Sequence, residues 1–146
     1  MSQAVAVLDV TFKAGADLST SQYAAVKLGT GANEVVLAGA NEESIGVLQN
    51  KPTSGQAAQV RMHGTSKMKA SGAISKGAAV AAAASGKIAA AGDGHTHTEN
   101  TAGTYTQNAT TSAPGAASIA YIIGRALEAA AADGDLIEVF ISPQRW

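Results

Sequence analysis

One pattern occurs twice in this chain. Ile45-Gly46-Val47-Leu48 leads through a polar turn to Gly55-Gln56 and then Val60-Arg61-Met62. Ile123-Gly124-Arg125-Ala126-Leu127 leads to Gly134-Asp135 and then Ile137-Glu138-Val139-Phe140-Ile141. Each unit is a short apolar run, a turn closed by glycine plus a polar residue, and a second run of alternating character. That cadence predicts short strands joined by tight turns. It outweighs the abundance of alanine, which on propensity alone points to helices.

A chain of 146 residues is long enough for one domain with a modest core. Alanine is the commonest residue, glycine supplies 16 positions, and aromatics only 4%. The core must therefore be small side chains plus a limited set of Val, Ile, Leu and Met. At roughly 25 cal/mol per Å², each small residue contributes little. Stability is thus expected to come partly from oligomerisation or docking. The formal net charge of −1 and the absence of a long charge run argue against nucleic acid or an anionic membrane as partner. Without cysteine there are no disulfides and no thiolate chemistry. The N-terminal residues do not read as a signal peptide. No apolar stretch is long enough to span a bilayer as a helix.

The alternation in residues 2–12 (SQAVAVLDVTF) predicts a strand, either inside the fold or as an arm laid on a partner. With the connector that follows, residues 1–22 form an arm and residues 23–146 a β domain. Residues 23–28 and 34–37 are strand candidates around the hairpin loop Gly29-Thr30-Gly31-Ala32-Asn33. Residues 78–91 are ambiguous: alanine favours helix, but Ser85-Gly86 reads as a hairpin turn, and strands are preferred. The same conflict recurs at 128–132, where one helical turn before Gly134 is an alternative. Residues 93–118 are rich in Thr, Asn, Gly and Ala and form a long polar insertion, either a projecting two-stranded excursion or a surface loop.

His95 and His97 are the metal candidates. Two apart in an extended chain, both imidazoles face one side. They supply only two good ligands, below the usual tetrahedral count, unless an oligomer axis adds more; solvated loop histidines are the plainer reading. Lys69, after Met68, is similar to the turn lysine of small biotin or lipoate carrier domains, though without flanking acidic residues. No Gly-x-Ser-x-Gly elbow and no phosphate-loop Lys-Ser/Thr ending occurs, so no enzyme and no cofactor is expected. Trp146 is the single tryptophan and a candidate interface anchor. The alternative is that it folds back over one end of the core.

Across residues 26–141 the chain resembles the phage capsid cement, or head-decoration, proteins. The resemblance is carried by Lys27-Leu28-Gly29, Glu43-Ser44-Ile45-Gly46-Val47-Leu48-Gln49, Gly55-Gln56, Val60-Arg61-Met62-His63-Gly64, Gly72-Ala73-Ile74-Ser75-Lys76-Gly77 and Gly134-Asp135-Leu136-Ile137-Glu138-Val139. It implies a mainly β fold, a small β-barrel or β-tulip-like domain. It implies a structural, non-enzymatic role on the exterior of the expanded capsid of the virion, made in the bacterial host cytoplasm. The partners would be the major capsid protein and, as a homotrimer, the chain itself. Val5, Val7, Val10 and Phe12 in the arm, with Trp146, are the expected contacts, the arm adding a strand to a coat-protein sheet edge. The rival roles are a biotinyl- or lipoyl-like carrier and a phage tail or fibre component.

Overall fold

The computed structural model describes residues 4–91 and 121–145. Among these residues nine strands form one sheet: β1 (Ala6–Ala14), β2 (Ala25–Leu28), β3 (Glu34–Leu37), β4 (Gly46–Leu48), β5 (Ala57–Ser71), β6 (Ala79–Ala82), β7 (Ile88–Ala90), β8 (Tyr121–Ala126) and β9 (Asp133–Arg145). The neighbour order is β1-β3-β2-β4-β5-β7-β6-β8-β9, with β5 also paired to β1 and β9. Among the described residues there is no α-helix, only a 3-10 turn at Ala84–Gly86 between β6 and β7. Residues 78–91 are therefore strands about a Ser85-Gly86 turn. The segment before Gly134 is also not helical: the Ala131 and Ala132 N–H groups donate to the Asp135 carboxylate at 2.8 and 3.0 Å, which ties it as a turn.

The twofold cadence of the sequence is the visible part of a duplication that covers the whole fold. β1–β3 and β5–β7 are parallel. β2–β3 and β6–β7, β2–β4 and β6–β8, β4–β5 and β8–β9, β1–β5 and β5–β9 are all antiparallel. The C-terminal part of β5 thus stands to β6 through β9 as β1 stands to β2 through β5. The registers agree residue by residue. Ala14 faces Val35 where Ala70 faces Ile88. Val26 faces Gly46 where Val80 faces Gly124. Val60 faces Val10 and Leu48 where Val139 faces Ser66 and Ala126.

The connections repeat as well. The Tyr23 N–H donates to the Leu48 carbonyl and the Gly77 N–H to the Ala126 carbonyl, both at 2.8 Å. Both residues carry positive φ, 66° and 85°. The glycine turns match: Gly55 and Gly134 have φ of 84° and 93°. The next side chain in each turn accepts from the residue three back, Thr53 N–H to Gln56 Oε1 at 2.9 Å and Ala132 N–H to Asp135 Oδ2 at 3.0 Å.

Each half is a five-stranded ring that shares β5 with the other. The rings are barrel-like without being continuously bonded, because β1 meets β3 only at Lys13–Glu34 and Ala14–Val35, and β5 meets β7 only at Ala70–Ile88. Two apolar clusters correspond to the two rings. The smaller holds Leu18, Val26, Val35, Leu48, Ala58 and Val60. The larger holds Met68, Ile74, Val80, Ile88, Ile123 and Val139, with Ala25 and Val47 reaching into it from the first half. The even-numbered positions 58, 60, 66, 68 and 70 of β5 all face these cores. That is the period-2 alternation of a strand covered on one side.

The expected N-terminal arm is strand β1, an integral member of the first ring. It pairs with β5 from Ala6–Gly64 to Lys13–Ala57. Val10 opposes Val60, Phe12 packs on the smaller cluster, and the Asp9 carboxylate binds Arg61. A free arm would leave the first-half core uncovered and the Arg61 guanidinium unpaired, which explains why the segment is folded in.

Candidate functional site

The odd-numbered side chains of β5 point away from the cores, together with their partners on β1 and β9. Leu8 opposes His63, Asp9 opposes Arg61, Thr65 opposes Phe140, Lys67 opposes Glu138 and Lys69 opposes Leu136. On the far side of β9, Arg125 opposes Phe140, and the Leu127 N–H donates to the Glu138 carbonyl at 2.9 Å. These residues form one outer face on β1, β5, β9 and the end of β8.

The centre of this face is apolar and exposed. The His63 and Phe140 rings meet edge to face, 5.4 Å between centroids at 73°, a favoured aromatic geometry. Leu8 lies beside His63. The Val5 N–H donates to Thr65 Oγ1, and the Thr65 N–H donates to the Val5 carbonyl, both at 2.9 Å. Gly64 permits this crossing: its φ is 119°, and a Cβ there would strike the Val5 carbonyl oxygen. Phe140 is 39% exposed, Leu136 49% and Val7 69%.

The duplication supplies an internal control for this face. The first-half positions equivalent to Leu127, Leu136 and Phe140 are Gln49, Ala57 and Arg61. The same framework thus folds without large apolar groups at those places. Their presence in the second half is not a requirement of the fold.

Charges also lie on the face: Asp9 pairs with Arg61, and Lys67 opposes Glu138 between Phe140 and Leu136. Arg61 donates from Nε and Nη2 to the two Asp9 oxygens at 2.8 and 3.0 Å, and from Nη1 to the Thr65 carbonyl at 3.0 Å. This bidentate pair is nearly buried and fixes β1 on β5. Below it, Ser66 is fully buried and accepts from Gln49 Nε2 at 3.0 Å, which ties the end of β4 to the second half.

Of the residues expected to make partner contacts, Val5 and Val7 are exposed. Val10 is half-buried opposite Val60, and Phe12 packs on the smaller cluster. Trp146, His95, His97 and the 93–118 insertion lie outside the described residues. Lys69 sits within β5 opposite Leu136, not at the hairpin tip that carrier attachment requires. Among the described residues, no group of three His, Cys, Asp or Glu is placed to hold a metal ion, and no helix is long and apolar enough to cross a membrane. Sequence reading missed His63, Phe140 and Leu136 as one face. The signal was present in the alternation of residues 57–71 and 133–145, but it gives no pairing partner.

No family model matches the chain, and no curated protein does. Among solved structures, the chain is similar to the head fiber gp8.5 N base of bacteriophage phi29. The likeness has a TM-score of 0.58 at 19% sequence identity, and covers 92% of this chain and 93% of that one. At that identity it is a likeness of fold, and it extends over both halves.

Proposed function

We propose that this chain is a structural, non-enzymatic component of a phage particle that seats on the outside of the head. The observation that carries the reading is the match of both halves to the base of a head fiber. The outer face of β1, β5 and β9 is the surface it would present to the shell. Its exposed Leu8, Phe140 and Leu136, mixed with Lys67, Glu138, Lys69 and Arg125, suit a protein surface better than a small ligand. Many copies on a lattice gain avidity from a contact that is weak singly.

Within this reading the cementing role has the chain bridge neighbouring coat subunits, so that bound heads resist heat. The fiber-base role is the second reading, favoured by the fold likeness, in which the chain holds a projecting element. Co-sedimentation with expanded, undecorated heads of the encoding phage tests both. Binding with raised thermal resistance of the heads supports cementing, and binding without it supports a fiber base. A chain that stays in the supernatant at saturating head concentration overturns the head-binding role.

A further inference from the structure

β1 has an open edge. Successive residues of a strand turn their N–H and C=O groups to opposite sides. Ala14 turns to β5: its N–H donates to the Gln56 carbonyl at 2.9 Å, and its carbonyl accepts from the Gly55 N–H at 2.8 Å. Lys13 turns the other way, and its N–H donates to the Asn33 carbonyl at 2.8 Å, where β3 begins. The pairing with β5 runs without a shift from Asp9 to Lys13, so Asp9 and Thr11 turn the same way as Lys13. Gln59, opposite Thr11, agrees. It turns away from β1, accepting from the Gln49 N–H at 2.8 Å and donating from its own N–H to Asn50 Oδ1 at 2.9 Å. β3 pairs with β1 only at Lys13 and Ala14. Among the described residues, no group therefore meets the outward N–H and C=O of Asp9 and Thr11.

The duplication shows what this edge lacks. By register, Asp9 and Thr11 correspond to Thr65 and Lys67, as Ala14 does to Ala70. In the second half the edge is covered. The Thr65 N–H donates to the Val5 carbonyl at 2.9 Å, and the Lys67 carbonyl accepts from Ser66 Oγ at 3.1 Å. The end of β1 thus closes the edge of the second ring. In the first ring the place of Ser66 is held by Val10, which has no hydroxyl, and no described strand stands where β1 stands in the second.

The surroundings suit a strand. Thr11 is exposed, and the Asp9 carboxylate is tied to Arg61, so no unpaired charge guards the edge. Of the seven exposed large apolar residues among the described ones, Val5, Val7 and Leu8 all lie on this segment. That places main-chain donors and acceptors beside apolar side chains, the combination that strand addition uses. β1 also borders the outer face proposed to meet the shell, so a segment on its edge is continuous with that contact.

Given the head-binding role proposed above, on which this rests, we infer that the edge takes an extended segment of the shell protein. The segment adds a strand antiparallel to β1 at Asp9 and Thr11, as β1 does on β5, and stops where β3 closes the edge at Lys13. Main-chain bonds supply the affinity, and small or apolar side chains of the segment rest beside Leu8 and Val7.

T11P tests this. Proline removes the outward donor and sets its ring in the path of an added strand, yet breaks no bond to β5, the one setting in which a strand accepts it. T11A changes the side chain and keeps the donor. T11P is expected to melt near T11A and to bind undecorated heads at least about tenfold more weakly than T11A does, the loss of main-chain bonds at one edge. Hydrogen exchange on the parent chain gives a second reading that does not depend on the folding of T11P. The Asp9 and Thr11 amides exchange fast in the free chain and are expected to slow at least about tenfold on heads. Equal binding of T11P and T11A, or amides that exchange on heads as fast as in the free chain, overturns the strand addition and leaves head binding standing. A parent chain that does not bind heads overturns both.

Discussion

Gly46 and Gly124 hold the same place in the two halves. A Cβ on Gly46 would run into the carbonyl oxygen of Arg61, and one on Gly124 into that of Phe140. The strands β4 and β8 can approach β5 and β9 so closely only because both residues lack a side chain. G46A and G124A are each expected to lose about 3 kcal/mol, the upper range for forced overpacking. Gly72 has nothing within 4 Å and no positive φ, so G72A should stay within about 0.5 kcal/mol of the parent. Urea unfolding of the three variants checks this. Equal stability of G124A and G72A would refute the close approach.

The turn glycines separate a different cause. Gly55 and Gly134 also have open space around the missing Cβ, but their φ values are 84° and 93°. Alanine there meets backbone strain rather than a clash. The expected loss is about 1 kcal/mol for G55A and for G134A, roughly equal because the two turns are built alike. A loss in one and none in the other would show that the turns are not equivalent.

These glycines explain how much of the fold was legible. A backbone that needs no side chain at a fixed point leaves a mark in sequence, and Gly46, Gly55, Gly124 and Gly134 marked the repeat. The rest of the duplication is fainter. Ser21, Ala24, Ala25 and Val26 recur as Ser75, Ala78, Ala79 and Val80 at equivalent register, but small residues in an alanine-rich chain do not stand out. Tyr23 and Gly77 share positive φ without sharing a residue type. The placement of β1 was legible only as a choice between a strand inside the fold and an arm on a partner, because it is decided by the pairing with β5 and the Asp9–Arg61 pair, which joins positions 52 residues apart.

That pair makes a sharp prediction for the N-terminal segment. Asp9 and Arg61 side chains are only 18% and 10% exposed, so D9A leaves a nearly buried guanidinium without its carboxylate. The expected loss is about 3 kcal/mol, at the low end for breaking a buried pair. The D9A/R61M double variant should recover part of it, since no charge is then left unpaired. Deleting residues 2–12 should do more harm than D9A, because it also strips β1 from the Val60 side of the first ring. A deletion chain with an unchanged melting temperature would restore the free-arm picture.

Acid should loosen one specific turn first. The Glu42 carboxylate accepts from Lys27 Nζ at 2.7 Å and from the Gly39 N–H at 2.6 Å. These bonds, the Lys27 one foremost, hold its pKa below the ordinary 4.5. A carboxyl whose folded pKa lies below its unfolded value stabilises the fold fully above the unfolded value. It loses that contribution as pH falls through the folded one. The Gly39 amide resonance is expected to titrate in that window below 4.5 and to stop doing so in E42Q. Because the group is at the surface, added salt should weaken the Lys27 contribution. A Gly39 amide that titrates unchanged in E42Q would assign the transition to another group.

The outer face yields the test that separates folding from function. Leu136 and Phe140 are 49% and 39% exposed, and the first half folds with Ala57 and Arg61 in their places. Replacing both with polar residues, L136S and F140S together, should therefore change unfolding free energy by about 1 kcal/mol at most, the loss of the His63 edge contact included. If this face meets the shell, the same double variant should lose most of its co-sedimentation with heads, since a few buried aromatic and aliphatic anchors carry most of an interface. The matched control is Q59S, on the outer face of the first half, which should bind as the parent does. Loss of binding in Q59S with none in L136S/F140S would move the contact to the first half and leave the apolar strip of the second without a role at the shell.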